Sequence, residues 1–161
     1  MGIYAGSEVI EMGIQIERNG RDFYAGLANK SKNLSAKEIF KYLAEQEEQH
    51  IEVFKKLLAS TTKLEPVPIY AQEYIDYMKL LASQYVFTEN NTGMSLAKGI
   101  NSDTEAVDLG IGFEKDSILL YEALKKAVTS KDLDIIDALI SQEQEHLKTL
   151  ISLKDKLKKG A

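Results

Sequence analysis

The chain has 161 residues, 28% charged and 44% hydrophobic, which suits one domain with a full apolar core rather than a disordered polypeptide. Its net charge of −5 and sequence pI near 5.2 argue against a basic footprint for nucleic acid or an anionic membrane. The absence of cysteine excludes disulfides and thiolate metal sites. No apolar run is long enough to span a bilayer, and residues 1–7 lack the basic and apolar regions of a signal peptide, so a cytoplasmic location is expected.

Residues 7–29 carry apolar side chains at helical spacing, with Ile10, Ile14 and Tyr24 on one stripe. Glu17 falls on that stripe, where an unpaired carboxylate is very costly to bury. A short polar link follows, and Ser35-Ala36-Lys37-Glu38 has capping-box spacing, which predicts a second helix over 35–59 and an antiparallel hairpin. Residues 60–69 contain both prolines and read as a loop. Residues 70–87 read as a shorter helix, and 88–101 as loop again, so that 60–101 forms one long crossover. Ser102-Asp103-Thr104-Glu105 repeats the capping-box pattern and opens a helix over 103–129. The last helix is expected over 131–158, started by Ser130 or Asp132 and closed by lysines that suit its dipole.

The chain has only two histidines, and each is preceded three residues earlier by glutamate: Glu47-x-x-His50 and Glu143-x-x-His146. On a helix, positions i and i+3 share a face, so each pair can reach one point. With glutamate at roughly one position in ten, two such pairs arise by chance about once in a hundred sequences. The repeat extends further. A shift of about 97 positions lays Gly13-Ile14-x-x-Glu17 on Gly110-Ile111-x-x-Glu114 and Tyr24 on Tyr121, and a shift of about 96 overlays the two Glu-x-x-His segments. Two helical hairpins related by a pseudo-twofold axis would bring Glu17, Glu47, His50, Glu114, Glu143 and His146 to the centre of one bundle. That is the ligand inventory of a two-metal carboxylate bundle. Four ionised glutamates in a core repel one another and lose hydration, whereas two divalent cations bring +4 against −4 with both imidazoles neutral. Carboxylate and imidazole without thiolate suit iron or manganese best, and zinc less well.

These residues resemble the ferritin-like di-iron proteins of the rubrerythrin and bacterioferritin group over all four long helices. The resemblance implies an all-α, ferritin-like four-helix bundle in a single domain over 1–161, with one long crossover containing a short extra helix. It implies two iron ions, bridged by Glu47 and Glu143, with Glu17 and His50 as terminal ligands of one and Glu114 and His146 of the other. It further implies a non-haem di-iron oxidoreductase that reduces hydrogen peroxide or dioxygen and serves against oxidative stress. The alternative is a ferroxidase, iron-storage or metal-binding protein without substrate turnover. Two positions depart from the rubrerythrin pattern. With no cysteine there is no rubredoxin domain, so electrons must come from an external donor such as a rubredoxin. The additional glutamate one turn after Glu114 is replaced by Ser117. A homodimer is expected for a reductase and a hollow shell for a storage protein.

Other features have two readings. Tyr24 and Tyr121 are either donors to the carboxylates or plain core. Gln46 and Gln142, one turn before the histidines, either contact the site or fill the bundle end. Gly13 and Gly110 either leave room for a small oxidant or let helices pack closely. Glu45, Glu48, Glu52 and Glu145 are expected to face solvent, and Tyr70, Tyr74, Tyr77 and Tyr85 to cap the bundle or build a subunit interface.

Overall fold

The computed structural model describes residues 6–61 and 72–160, which form six helices. Four are long: α1 (Gly6–Lys30), α2 (Leu34–Thr61), α5 (Asp103–Leu124) and α6 (Leu133–Lys158). Between them lie α3 (Gln72–Ser83) and α4 (Gly93–Gly99). The long helices pair as two hairpins, α1 with α2 and α5 with α6, and the hairpins pack through α1 against α5 and α2 against α6. This is the expected all-α four-helix bundle with a long crossover. Pro66, Pro68 and Tyr70 lie outside the described residues.

The expected helix starts differ in their chemistry. In α2 the cap is Asn33, whose Oδ1 accepts from the Ala36 N–H at 3.0 Å, two residues ahead of the Ser35 position proposed from the capping-box spacing. Asn33 wins because the polar link ends on it and its carbonyl already accepts from Lys37 N–H at 2.9 Å. For α5 the expected cap holds: Ser102 Oγ accepts from Glu105 N–H at 3.1 Å. Glu105 reaches back to the Asn101 N–H, also at 3.1 Å, rather than to that of Ser102. Helix α5 stops at Leu124 instead of near 129, because the chain tightens into i→i+3 bonds, with Ala127 N–H donating to Leu124 O at 2.8 Å.

The crossover holds more structure than its sequence suggests. Helix α4 lies where a loop was expected, capped by Thr92 Oγ1 accepting from Ser95 N–H at 3.3 Å. Seven residues are too few to show a period, so contacts with α1 decide this element. Gly93 packs on the backbone of Asn19, whose Oδ1 accepts its N–H at 3.2 Å; Ala97 is buried; and Lys30 Nζ donates to the carbonyls of Ala97, Lys98 and Ile100. Helix α3 is tied to α5 by the Tyr74 hydroxyl, which donates to Ala123 O at 2.8 Å, and Val86 N–H donates to Asp116 Oδ2 at 2.7 Å. Tyr85 and Phe87 are buried beneath this segment, and Phe87 packs edge-on or tilted against Phe23 and Phe113 with centroids 5.4 and 4.9 Å apart. Tyr77 instead stays about half exposed. Among the described residues, no helix is long and apolar enough to cross a membrane.

Candidate metal centre

The bundle interior is apolar at both ends and charged in the middle. Phe40, Leu43, Ile51 and Phe54 of α2 are buried on either side of Glu47 and His50, and Leu139, Ile140, Leu150 and Leu153 of α6 flank Glu143 and His146. Glu17 comes from α1 and Glu114 from α5. All four glutamates are fully buried, and the two histidines are 1% and 2% exposed. Burying a single ion costs several kcal/mol after relaxation, so six ionisable groups in one core require mutual compensation or a bound counter-charge.

The structure brings all six sequence-selected residues together. They form two groups, Glu17, Glu47, His50 and Glu143 in one and Glu47, Glu114, Glu143 and His146 in the other, with the ligand atoms in each lying within 4.8 Å of one another. Glu47 and Glu143 belong to both. The imidazole rings stack at 5.4 Å with 18° between their planes. Each turns Nδ1 inward. His50 Nδ1 lies 2.9 Å from Glu143, 3.3 Å from Glu47 and 3.6 Å from Glu17. His146 Nδ1 lies 3.0 Å from Glu143, 3.5 Å from Glu47 and 3.6 Å from Glu114.

Apart from the His146 Nδ1–Glu143 Oε2 hydrogen bond at 3.0 Å, these short distances do not satisfy the atoms involved. Both oxygens of Glu17, both of Glu47, Oε2 of Glu114, Oε1 of Glu143 and His50 Nδ1 are buried with no aligned hydrogen-bond partner. Buried polar atoms are otherwise nearly always paired, so this concentration marks atoms aimed at a common point rather than at one another. Oxygen and imidazole donors converging on two points, two carboxylates shared, fit a pair of divalent cations.

The protonation of the six groups on their own follows the same logic. Burial, with the charges of Glu47 and Glu143 nearby, holds Glu17 well above the ordinary carboxylate value. Burial and the charges of Glu143 and Glu47 do the same to Glu114. Burial also disfavours charge on Glu47 and Glu143, but close proton-bearing neighbours (Glu17, His146 and His50 beside Glu47, and chiefly the two histidines beside Glu143) outweigh it and hold both below the ordinary value. Burial lowers both histidines, yet their carboxylate neighbours prevail, raising His146 to about 12 and His50 further. Two carboxylic acids, two carboxylates and two imidazolium ions sum to zero. Four carboxylates, two neutral imidazoles and two divalent cations also sum to zero.

Around this centre the alternatives left by the sequence divide. Tyr24 OH donates to Glu114 Oε1 at 2.5 Å, whereas its repeat mate Tyr121 is fully buried with no partner for its hydroxyl. Gly13 and Gly110 serve close packing: a Cβ at Gly13 would stand 3.1 Å from the Phe54 ring, and one at Gly110 3.2 Å from Leu150 and 3.3 Å from the Tyr24 hydroxyl. Ser117 is fully buried and its hydroxyl has no partner. Glu48, Glu52 and Glu145 face outward and pair with Arg21, Lys55 and Lys148. Gln142 contacts the site, its Oε1 lying 2.8 Å from His50 Nε2. Tyr42, which nothing in the sequence singled out, sets its ring edge-on to His146 at 6.3 Å. Its place two turns before His50, on the same helix face, is the signal that could have found it.

The rubrerythrin family pattern matches residues 8–154, nearly the whole chain. The chain belongs to the rubrerythrin family. A crystal structure from Thermotoga maritima, described as a ferritin-like diiron-carboxylate protein, superposes with a TM-score of 0.72 at 27% sequence identity, covering 96% of this chain and 97% of that one. No curated protein sequence matches. Membership in the rubrerythrin family fits the doubled Glu-x-x-His pattern and the bundle that carries it.

Proposed function

We propose that this protein is a non-haem di-iron oxidoreductase that reduces hydrogen peroxide or dioxygen with electrons from a separate donor protein. The observation that carries this reading is the set of buried, unpartnered oxygen and nitrogen atoms of Glu17, Glu47, His50, Glu114 and Glu143, converging with His146 on two points. Two iron(II) ions held there would supply the two electrons that reduction of an O–O bond needs. Glu47 and Glu143, members of both groups, would serve both metal positions, with Glu17 and His50 holding one and Glu114 and His146 the other. Tyr24 orients Glu114 through its hydroxyl, and the phenylalanine and leucine layers above and below exclude water. With no cysteine among these 161 residues to hold an electron-transfer iron, we assign the donor role to a separate rubredoxin-type protein, and a homodimer in the cytoplasm is sufficient for such a reductase. Manganese suits the same donors, and zinc is a poorer fit.

A second reading, ferroxidase or iron storage, is favoured by Ser117, which puts a hydroxyl where the peroxide-reducing pattern has a further carboxylate. One experiment separates the readings. The protein is purified without chelator, its metal measured by elemental analysis, and the iron(II) form titrated anaerobically with peroxide in the presence of a reduced rubredoxin. About two irons per chain and repeated turnover support the oxidoreductase. A single oxidation with retention of iron in a high-mass shell supports storage. No uptake of metal rejects both.

A further inference from the structure

The two halves of the repeat differ where they face the outer edges of the histidine rings. Both rings turn Nδ1 toward the carboxylates, which leaves Nε2 pointing away from the centre. At His50 this nitrogen meets Gln142 Oε1 at 2.8 Å. At His146 the repeat mate Gln46 makes no such contact, and the Tyr42 ring packs nearly perpendicular to the imidazole with centroids 6.3 Å apart. The position matching Tyr42 in the second half is Ala138. Its single methyl leaves a groove of ≈ 270 Å³ between α2 and α6, lined by Val53, Ile135, Ala138, Leu139 and Gln142. An imidazole that offers Nδ1 to a cation must carry its proton on Nε2, and that buried N–H needs an acceptor. A ring that lacks one is free to present the wrong nitrogen.

We propose that Gln142 is a positioning residue for His50: by accepting from Nε2–H it fixes the tautomer that leaves Nδ1 free, making one metal position depend on an acceptor that the other lacks. The proposal rests on the two-metal reading of the centre. Because Gln142 is exposed, changing it perturbs no core packing. The carboxamide is supplied from α6 to a ring on α2, so it also ties the two hairpins together at the site.

The test uses zinc as a diamagnetic probe on the full chain. Wild type, Gln142→Leu, Gln142→Glu and Gln46→Leu are titrated by calorimetry, and the zinc-loaded proteins are compared by long-range 1H–15N histidine spectra. Loss of an outer acceptor typically weakens metal binding about 10–100-fold. Gln142→Leu should lose that factor at one of two positions and lose the protected His50 Nε2–H signal. Gln142→Glu, which keeps an acceptor, should restore both, and Gln46→Leu should match wild type. Two ions bound by Gln142→Leu with wild-type affinities, an unchanged His50 spectrum in that variant, or coordination through Nε2 in wild type would overturn the role of Gln142 while leaving the centre intact. A wild-type chain that binds no zinc, iron or manganese would instead overturn the two-metal reading, and this role with it.

Discussion

The pair Tyr24 and Tyr121 offers a controlled perturbation, because the repeat makes them equivalent in sequence and the structure does not. Tyr24→Phe removes the hydroxyl that donates to Glu114 Oε1 at 2.5 Å in a fully buried setting. Burial and the neighbouring Glu114 raise the phenol well above its ordinary value, so it remains a donor at any accessible pH. Glu114 Oε2 already lacks a partner, and the substitution strands Oε1 as well. A buried hydrogen bond to a charged group contributes about 1.5–3 kcal/mol, and a stranded neutral carboxyl costs about 1–3 kcal/mol. Either protonation state of Glu114 therefore gives a loss of about 2 kcal/mol in the metal-free protein. For a chain of this size that is a fall of about 4–8 °C in melting temperature. Tyr121→Phe deletes a hydroxyl with no partner, so stability should be unchanged or rise by up to about 1 kcal/mol. Urea unfolding of both variants, metal-free at neutral pH, measures the difference. Equal effects of the two substitutions, or a Tyr24→Phe loss below about 0.5 kcal/mol, would refute the assignment of Tyr24 as the donor to Glu114.

Three further outcomes are expected. Since Glu17 and Glu114 are raised and both histidines are held protonated, loading two divalent ions near pH 7 should release close to four protons per chain, measured by calorimetry in buffers of different ionisation enthalpy. Release of fewer than about one would show that the groups titrate normally. The metal-free protein should be most stable near roughly pH 4.5: Glu47 and Glu143, lowered from 4.5, lose their contribution as pH falls below it, Glu17 and Glu114, raised from 4.5, lose theirs as pH rises above it, and the histidines, raised from 6.5, steepen the loss above that pH, on the way to about 12 for His146. A melting temperature that climbs steadily from pH 5 to 9 would contradict this. Gly93→Ala would place a Cβ 1.8 Å from the Asn19 carbonyl oxygen, a backbone contact with no flexible neighbour to yield, so a loss of about 3 kcal/mol or more is expected, with proteolysis directed to the crossover.

The sequence by itself determined the helices of the bundle and the identity of the six polar residues at its centre. Both were legible because they are periodic. Apolar stripes mark the long helices, and Glu-x-x-His at one-turn spacing, repeated about 96 residues on, marks a shared face in each half. Contacts between elements distant in the chain were decided only by the tertiary structure. Helix α4 is too short to carry a period and exists because Gly93 and Ala97 fit against α1. The repeat predicts that Tyr24 and Tyr121 behave alike, as it does Gln46 and Gln142. The packed bundle separates them, since one hydroxyl reaches a carboxylate and one amide reaches a ring while their mates do not. A sequence period records which face a side chain occupies, and only the packing of the helices sets what that face meets.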